Sequence, residues 1–162
     1  MRKRNRRRRR FIGPIQNPSI LTGVLWERKE EIWISPVNGA ITSACGERIS
    51  PISGKKENHD GLDIAVAEGT PVAAVRSGKV TEVRTSATYG KLVKYETEDG
   101  YTVMYAHLSE VLVQEGEEIR QGQIIARSGN TGLSTGPHLH YSLWKEETLL
   151  DPMDYLSADA MV

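Results

Sequence analysis

Leu92-Val93-Lys94-Tyr95-Glu96-Thr97-Glu98-Asp99-Gly100-Tyr101-Thr102-Val103-Met104-Tyr105-Ala106-His107-Leu108 is the stretch that decides the fold. Val93, Tyr95, Val103 and Tyr105 alternate with Lys94, Glu96 and Thr102, a period of two that gives each strand one dry and one wet face. Asp99-Gly100 stands between the two runs, and Asp-Gly ahead of an alternating segment is a strong hairpin signal. By the same parity His107 falls on the dry side, with Val103 and Tyr105.

The texture continues outward. Val72–Val75 and Lys79–Val83 read as short strands around Ser77-Gly78, and Ile119–Gln121 and Gln123–Ala126 as a turn-linked pair at Gly122. His138–Trp144 is the last strand, closed by Asp151-Pro152. No helix of three or more turns is expected after residue 36. With a single Phe, the core must rely on Val, Ile, Leu, Tyr and Trp. The expectation is a mainly β domain.

Ser35-Pro36-Val37-Asn38-Gly39 is a loop signal that opens this domain. The chain therefore divides into a basic tail and linker over 1–35, a domain over 36–156 and a C-terminal tail over 157–162. A short helix is predicted around Leu25–Ile34. At 162 residues there is room for one well-cored domain.

The net charge of zero hides an asymmetry. The first ten residues, MRKRNRRRRR, hold eight of the 21 Lys and Arg, which leaves 13 against 21 acidic residues elsewhere, a net of −8. Such an Arg run self-repels and buries no apolar surface, so disorder or a bound anion is expected. It reads as a solvated tail, as the basic flank of an export or membrane signal, or as a contact for anionic lipid or nucleic acid. Phe11–Trp26 is broken by Pro14, Gln16, Asn17 and Pro18, so neither a spanning helix nor a cleavable signal is assigned. Cys45 is the only cysteine, which excludes an internal disulfide and a cysteine-based zinc site. We read it as a buried, inert thiol.

Four histidines are all the chain has: His59 four residues before Asp63, His107 alone, and His138-Leu139-His140. Imidazole and carboxylate are good zinc ligands, and three protein ligands leave a fourth position for water, the mark of a metal that does chemistry. If the segment Asn58–Asp63 enters a strand through Gly61, the even spacing puts His59 and Asp63 on one side. Asp60 then points elsewhere, close enough to orient a ligand from behind. His138 and His140 share a face on a strand, so one can bind metal while the other handles protons. Tyr89, Gly90, Asn130, Thr131 and Tyr141 are candidate groove residues.

His59-x-x-x-Asp63, Tyr105-Ala106-His107-Leu108-Ser109 and Ser128-Gly129-Asn130-Thr131-Gly132-x-Ser134-Thr135-Gly136-Pro137-His138-Leu139-His140 resemble the M23 metallopeptidases. This is the family of lysostaphin-like and LytM-like peptidoglycan endopeptidases. Gly46, Arg48, Gly61, Gly69, Gly116 and Gly122 extend the resemblance over roughly 36–156. It implies a compact antiparallel β-sheet domain of the LytM (duplicated hybrid motif-like) type. It implies zinc held by His59, Asp63 and His140, with His107 and His138 as the catalytic pair. It further implies hydrolysis of peptidoglycan peptides, in cross-bridge or stem, and a cell-envelope or extracellular location; the basic tail, which the resemblance does not cover, would then be a positive-inside membrane flank or part of an export signal. The alternative is a non-enzymatic wall-binding or scaffold domain of the same type. A third reading, a carrier-like hairpin over Val113–Ile124, lacks the modifiable Lys, since the tip is Gln121-Gly122-Gln123.

Overall fold

The structure, a computed structural model, describes residues 31–156. It is built from strands β1 (Ala40–Ser43), β2 (Gly46–Ile49), β3 (Lys56–His59), β4 (Leu62–Ala65), β5 (Pro71–Ala73), β6 (Gly78–Ser86), β7 (Gly90–Glu96), β8 (Tyr101–Val111), β9 (Glu118–Ile119), β10 (Ile124–Ser128), β11 (Leu139–Lys145) and β12 (Thr148–Leu150). A single 3₁₀ turn, Pro152–Tyr155, follows, capped by the Asp151 side chain accepting from the Met153 N–H. The mainly β expectation holds. Of the helix expected over Leu25–Ile34, residues 25–30 lie outside the described residues and 31–34 are not helical.

The hairpin forms as its sequence demands. Val93 pairs with Tyr105 and Tyr95 with Val103 across β7 and β8. At the turn, Thr97 Oγ1 donates to Asp99 Oδ1 (2.6 Å) and accepts the Tyr101 N–H (3.0 Å), while Gly100 takes φ +96°. Around the hairpin runs one antiparallel sheet in the order β1-β4-β11-β8-β7-β6-β9, with β2 and β3 forming a separate two-stranded ladder.

The two strands read around Ser77-Gly78 take separate partners: β5 pairs with β10, and β6 with β7 and β9. The pair expected at Gly122 does not form, because β9 lies beside β6 while β10 returns between β5 and β8. Backbone bonds from Gly122 N to Ala74 O and from Ala74 N to Gln123 O carry this chain across to its neighbour instead.

One sheet face packs into a core of Leu62, Ile64, Val93, Tyr95, Val103, Tyr105, Leu108, Leu139, Tyr141 and Leu143. The buried rings of Tyr95, Tyr105 and Tyr141 meet edge to face at 6.2 and 5.7 Å, contacts worth about 0.5–1.5 kcal/mol each beyond burial. The other face is not simply wet. Toward one end it is covered by Leu92, Met104 and Ala106, with Tyr89 and Trp144 packed against them.

The strand register carries a correction for His107. Between the pairs Val93–Tyr105 and Lys91–Leu108, β7 advances two residues and β8 three. The extra residue is a bulge, and His107 takes the left-handed φ of 59° within it. Leu108 thereby joins Tyr105 in the main core, and His107 is turned out of the face that parity assigned to it. Its ring lies 5.0 Å from that of His138 instead.

Candidate metal centre

Asp63 on β4 and His140 on β11 are direct cross-strand partners. Their neighbours Leu62, Ile64, Leu139 and Tyr141 all enter the core, so alternation sends Asp63 and His140 to the opposite face. Asp63 Oδ1 lies 3.1 Å from His140 Nδ1. His59 arrives from another ladder: it ends β3, and the chain turns at Asp60-Gly61 before Asp63. Its proximity to Asp63, with Nε2 3.3 Å from Oδ2, comes from that turn and not from parity along one strand.

His138 stands just before β11, bridged to Gly129, with Nε2 3.5 Å from Asp63 Oδ1. All four histidines and Asp63 therefore converge on one groove of ≈ 800 Å³. Its floor is the sheet and its walls are the β2–β3 ladder and the loop preceding His138. Tyr89 lines it as expected, whereas Tyr141 is fully buried in the core and Asn130 is exposed away from it.

Three of the four imidazoles hold Nδ1 on a backbone carbonyl. His59 Nδ1 meets the Ala44 carbonyl at 3.0 Å, His107 Nδ1 that of Thr131 at 2.7 Å, and His138 Nδ1 that of Gly136 at 2.8 Å. A carbonyl only accepts, so Nδ1 carries the proton in these three rings and Nε2 keeps a lone pair facing the groove. His140 is reversed: its Nδ1 faces Asp63, while its Nε2 meets Ser142 Oγ (2.9 Å) and Asp60 Oδ1 (3.1 Å).

The electrostatics follow from these contacts. Burial by itself would raise the Asp63 carboxyl, but hydrogen bonds and charge from His140 and His59 hold it well below the carboxylate range. Burial likewise opposes ionisation of Asp60, yet His140 and Tyr89 hold it down at about 2. For His140 burial favours the neutral ring, and Asp60 and Asp63 outweigh it, raising its pKa. Burial lowers His107, with His138 and His140 adding repulsion.

One atom from each of His59, Asp63 and His140 can be chosen so that all lie within 4.8 Å of one another. Tetrahedral zinc bonds of about 2.0–2.1 Å put ligand atoms roughly 3.3 Å apart. His59 Nε2 stands 3.3 Å from Asp63 Oδ2 and His140 Nδ1 3.1 Å from Asp63 Oδ1, so each imidazole is near that spacing from a different oxygen of the one carboxylate. The donor set, two imidazoles and a carboxylate, fits zinc with an open fourth position.

Sequence reasoning named Arg48 and Tyr89 but not the contacts by which they support the site. Arg48 bridges Asp63 Oδ2 (3.2 Å), Ser43 Oγ (2.8 Å) and Glu57 Oε2 (2.6 Å), joining β2 to the ligand strand. The Tyr89 hydroxyl donates to Asp60 Oδ2 across 29 residues of chain, a pairing that no local pattern announces. Cys45, expected to be buried, is only half-buried, and burial, with Asp151 and Asp60, raises its thiol.

A sequence model of peptidase family M23 matches residues 57–152, more than half of the chain. Peptidoglycan DD-endopeptidase ShyA of Vibrio cholerae is 41% identical over 96 residues, 59% of this chain and 22% of that protein. The aligned region spans less than a third of the length of the curated relatives it matches. Among solved structures, the catalytic domain of lysostaphin from Staphylococcus simulans superposes with a TM-score of 0.66 at 35% identity, covering 72% of this chain and 91% of that one. A zinc-containing peptidase from Vibrio cholerae gives 0.71 at 35% identity, covering 76% and 40%.

Proposed function

This chain belongs to peptidase family M23, and from that premise we propose that it is a zinc metalloendopeptidase that hydrolyses peptide bonds of peptidoglycan. The observation that carries the reading is the convergence of His59, Asp63 and His140 within 4.8 Å, beside two further histidines whose Nε2 lone pairs face the same groove. A purely scaffolding domain has no need of that second pair.

His59 through Nε2, Asp63 through a carboxylate oxygen and His140 through Nδ1 would hold the metal. Zinc, when bound, supplies Lewis acidity that polarises the scissile carbonyl and makes water a better nucleophile near neutral pH. The chain's own residues do the rest. His107 and His138 hold their Nδ1 protons on backbone carbonyls, so each can take a proton at Nε2. One accepts the proton of the attacking water. The other, donating N–H, steadies the charge that develops on the substrate carbonyl oxygen. Burial that lowers His107 favours its neutral, proton-accepting form. The substrate peptide lies along the groove between the β2–β3 ladder and the loop before His138, a stem peptide or cross-bridge. The names of the curated relatives support peptidoglycan as the substrate class.

A peptidoglycan substrate places the protein in the cell envelope or outside the cell. Among the described residues no helix is long and apolar enough to cross a membrane. The eight basic residues of the first ten supply a contact for anionic lipid headgroups, and a steep salt dependence of vesicle binding tests it; preference for nucleic acid over vesicles would redirect that assignment.

The deciding experiment incubates the purified chain with peptidoglycan sacculi and identifies the released fragments by mass spectrometry. New amino termini that vanish with chelator, and with His138→Ala, support the reading. Binding of zinc and sacculi without any bond cleaved would overturn it in favour of a wall-binding module.

A further inference from the structure

We propose that Asp60 is a positioning residue that selects the metal-competent tautomer of His140, and that Tyr89 holds Asp60 in place to do so. The inference rests on the zinc reading above and goes beyond the ligand set.

His140 is almost wholly buried, and carboxylates stand at both of its ring nitrogens. Asp63 Oδ1 is 3.1 Å from Nδ1, and Asp60 Oδ1 is 3.1 Å from Nε2. A neutral imidazole has one N–H and one lone pair, and a carboxylate can only accept. The two acids therefore compete for the single proton. If Asp63 wins, the proton sits on Nδ1 and the nitrogen that must bind the metal is blocked. If Asp60 wins, the proton sits on Nε2 and Nδ1 presents its lone pair to the ligand cluster. Ser142 Oγ, 2.9 Å from the same Nε2, does not decide between them, because a hydroxyl donates or accepts with equal ease. Asp60 is the group on that side whose chemistry has only one answer.

The local chain is shaped for this contact. A Cβ on Gly61 would fall 2.7 Å from His140 Nε2 and 2.6 Å from Ser142 Oγ, so a side chain there would push the ring off its partner. Asp60 itself is anchored from the far side of the groove, where the Tyr89 hydroxyl donates to Oδ2 and leaves Oδ1 directed at the histidine. Tyr89 belongs to the turn between β6 and β7, and its carbonyl also accepts the His107 N–H at 2.7 Å. A single residue thus supports both a ligand and a proton-handling histidine.

Zinc affinity, measured by competition against a chromophoric chelator, and the His140 tautomer, read from ring-nitrogen NMR of the zinc-free protein in alkaline buffer once the spectrum shows the ring deprotonated, test the proposal together. Losing the outer partner of a ligating histidine weakens metal binding by about 10–100-fold, and that loss is expected for Asp60→Ala, with the proton moving to Nδ1. Asp60→Asn keeps a carbonyl acceptor, so it should retain the Nε2–H tautomer and bind zinc between wild type and Asp60→Ala. Tyr89→Phe should weaken zinc by a smaller factor without removing Asp60. Unchanged affinity and an unchanged tautomer in Asp60→Ala would overturn the proposal. If that variant fails to fold, Asp60→Asn and Tyr89→Phe decide, and wild-type affinity in both would overturn it. A wild-type protein that binds no zinc would instead overturn the metalloenzyme reading itself, so the two failures are distinguishable.

Discussion

Asp63 and His140 oppose each other across β4 and β11, with Oδ1 3.1 Å from Nδ1, and every residue adjoining them on those strands is buried in the core. The candidate metal site is thus an outgrowth of sheet register. Asp63→Ala should take bound zinc from about one per chain to none, because a three-ligand catalytic site cannot spare a ligand. Elemental analysis gives the stoichiometry, and melting curves with and without chelator should then coincide.

The pH response of the metal-free protein has two limbs. His140 is raised above its ordinary 6.5, so its contribution to stability is full below that value and fades as pH climbs through the raised one. Asp63 is lowered from 3.8, so its contribution is present above that value and fades as pH falls through the lowered one. Zinc needs His140 deprotonated, so it gains affinity over the range where the metal-free protein loses stability. Melting temperatures with zinc and with chelator should diverge progressively from pH 5 to 8, a range of about three units around the histidine value; a constant gap would contradict the assignment.

His107→Ala and His138→Ala should lower kcat by about 10²–10⁴-fold, the range for a lost proton-transfer group. Neither ring belongs to the ligand trio, so zinc affinity should stay near wild type, which separates them from substitutions at His59 or Asp63. Steady-state kinetics on a defined muropeptide, paired with chelator competition, reads both quantities.

Gly90 and Gly132 let two groove loops touch. Gly90 has φ +65°, and a Cβ on it would stand 2.4 Å from the backbone carbon of Thr131, whose carbonyl holds His107 Nδ1. Gly90→Ala should cost more than about 1 kcal/mol, since the added methyl meets both a left-handed backbone and fixed main chain. Activity should fall further than zinc affinity, because the displaced loop orients His107 and not the ligands. Urea unfolding and kinetics check the two parts.

Exposed Ile49 and Ile52 on one wall and Leu133 on the other line the groove. Apolar side chains there can cover apolar parts of a bound peptide. Ile49→Ser and Leu133→Ser should raise KM by several-fold at about 0.8 kcal/mol per buried methylene lost, with kcat unchanged. A drop confined to kcat would place these residues outside substrate binding.

The alternation around Asp99-Gly100 and the HxxxD and HxH spacings made the hairpin, the last strand and the ligand candidates readable from the chain alone, because period two and hydrogen-bonding chemistry are local properties. His107 shows where local reading fails. Parity assigned it to the dry face, and one extra residue between Tyr105 and Leu108 reverses that assignment. The bulge depends on how β8 lies against β7, which the strand's own pattern does not contain. The Gly122 segments fail similarly: they look like a hairpin but find partners in β5, β6 and β8.

What the sequence by itself determined is the inventory: a mainly β domain behind a basic tail, four histidines and Asp63 as the chemical set, and glycines where the chain must turn. What only the tertiary structure decided is which nitrogen of each histidine is free. For two of the rings that depends on acceptors supplied from elsewhere in the chain, Ala44 for His59 and Thr131 for His107, and His140 meets Asp60, 80 residues distant along the chain; only His138 finds its acceptor, Gly136, close by. A proton on a ring nitrogen follows the acceptor that reaches it, and only the folded chain brings that acceptor within 3 Å or so.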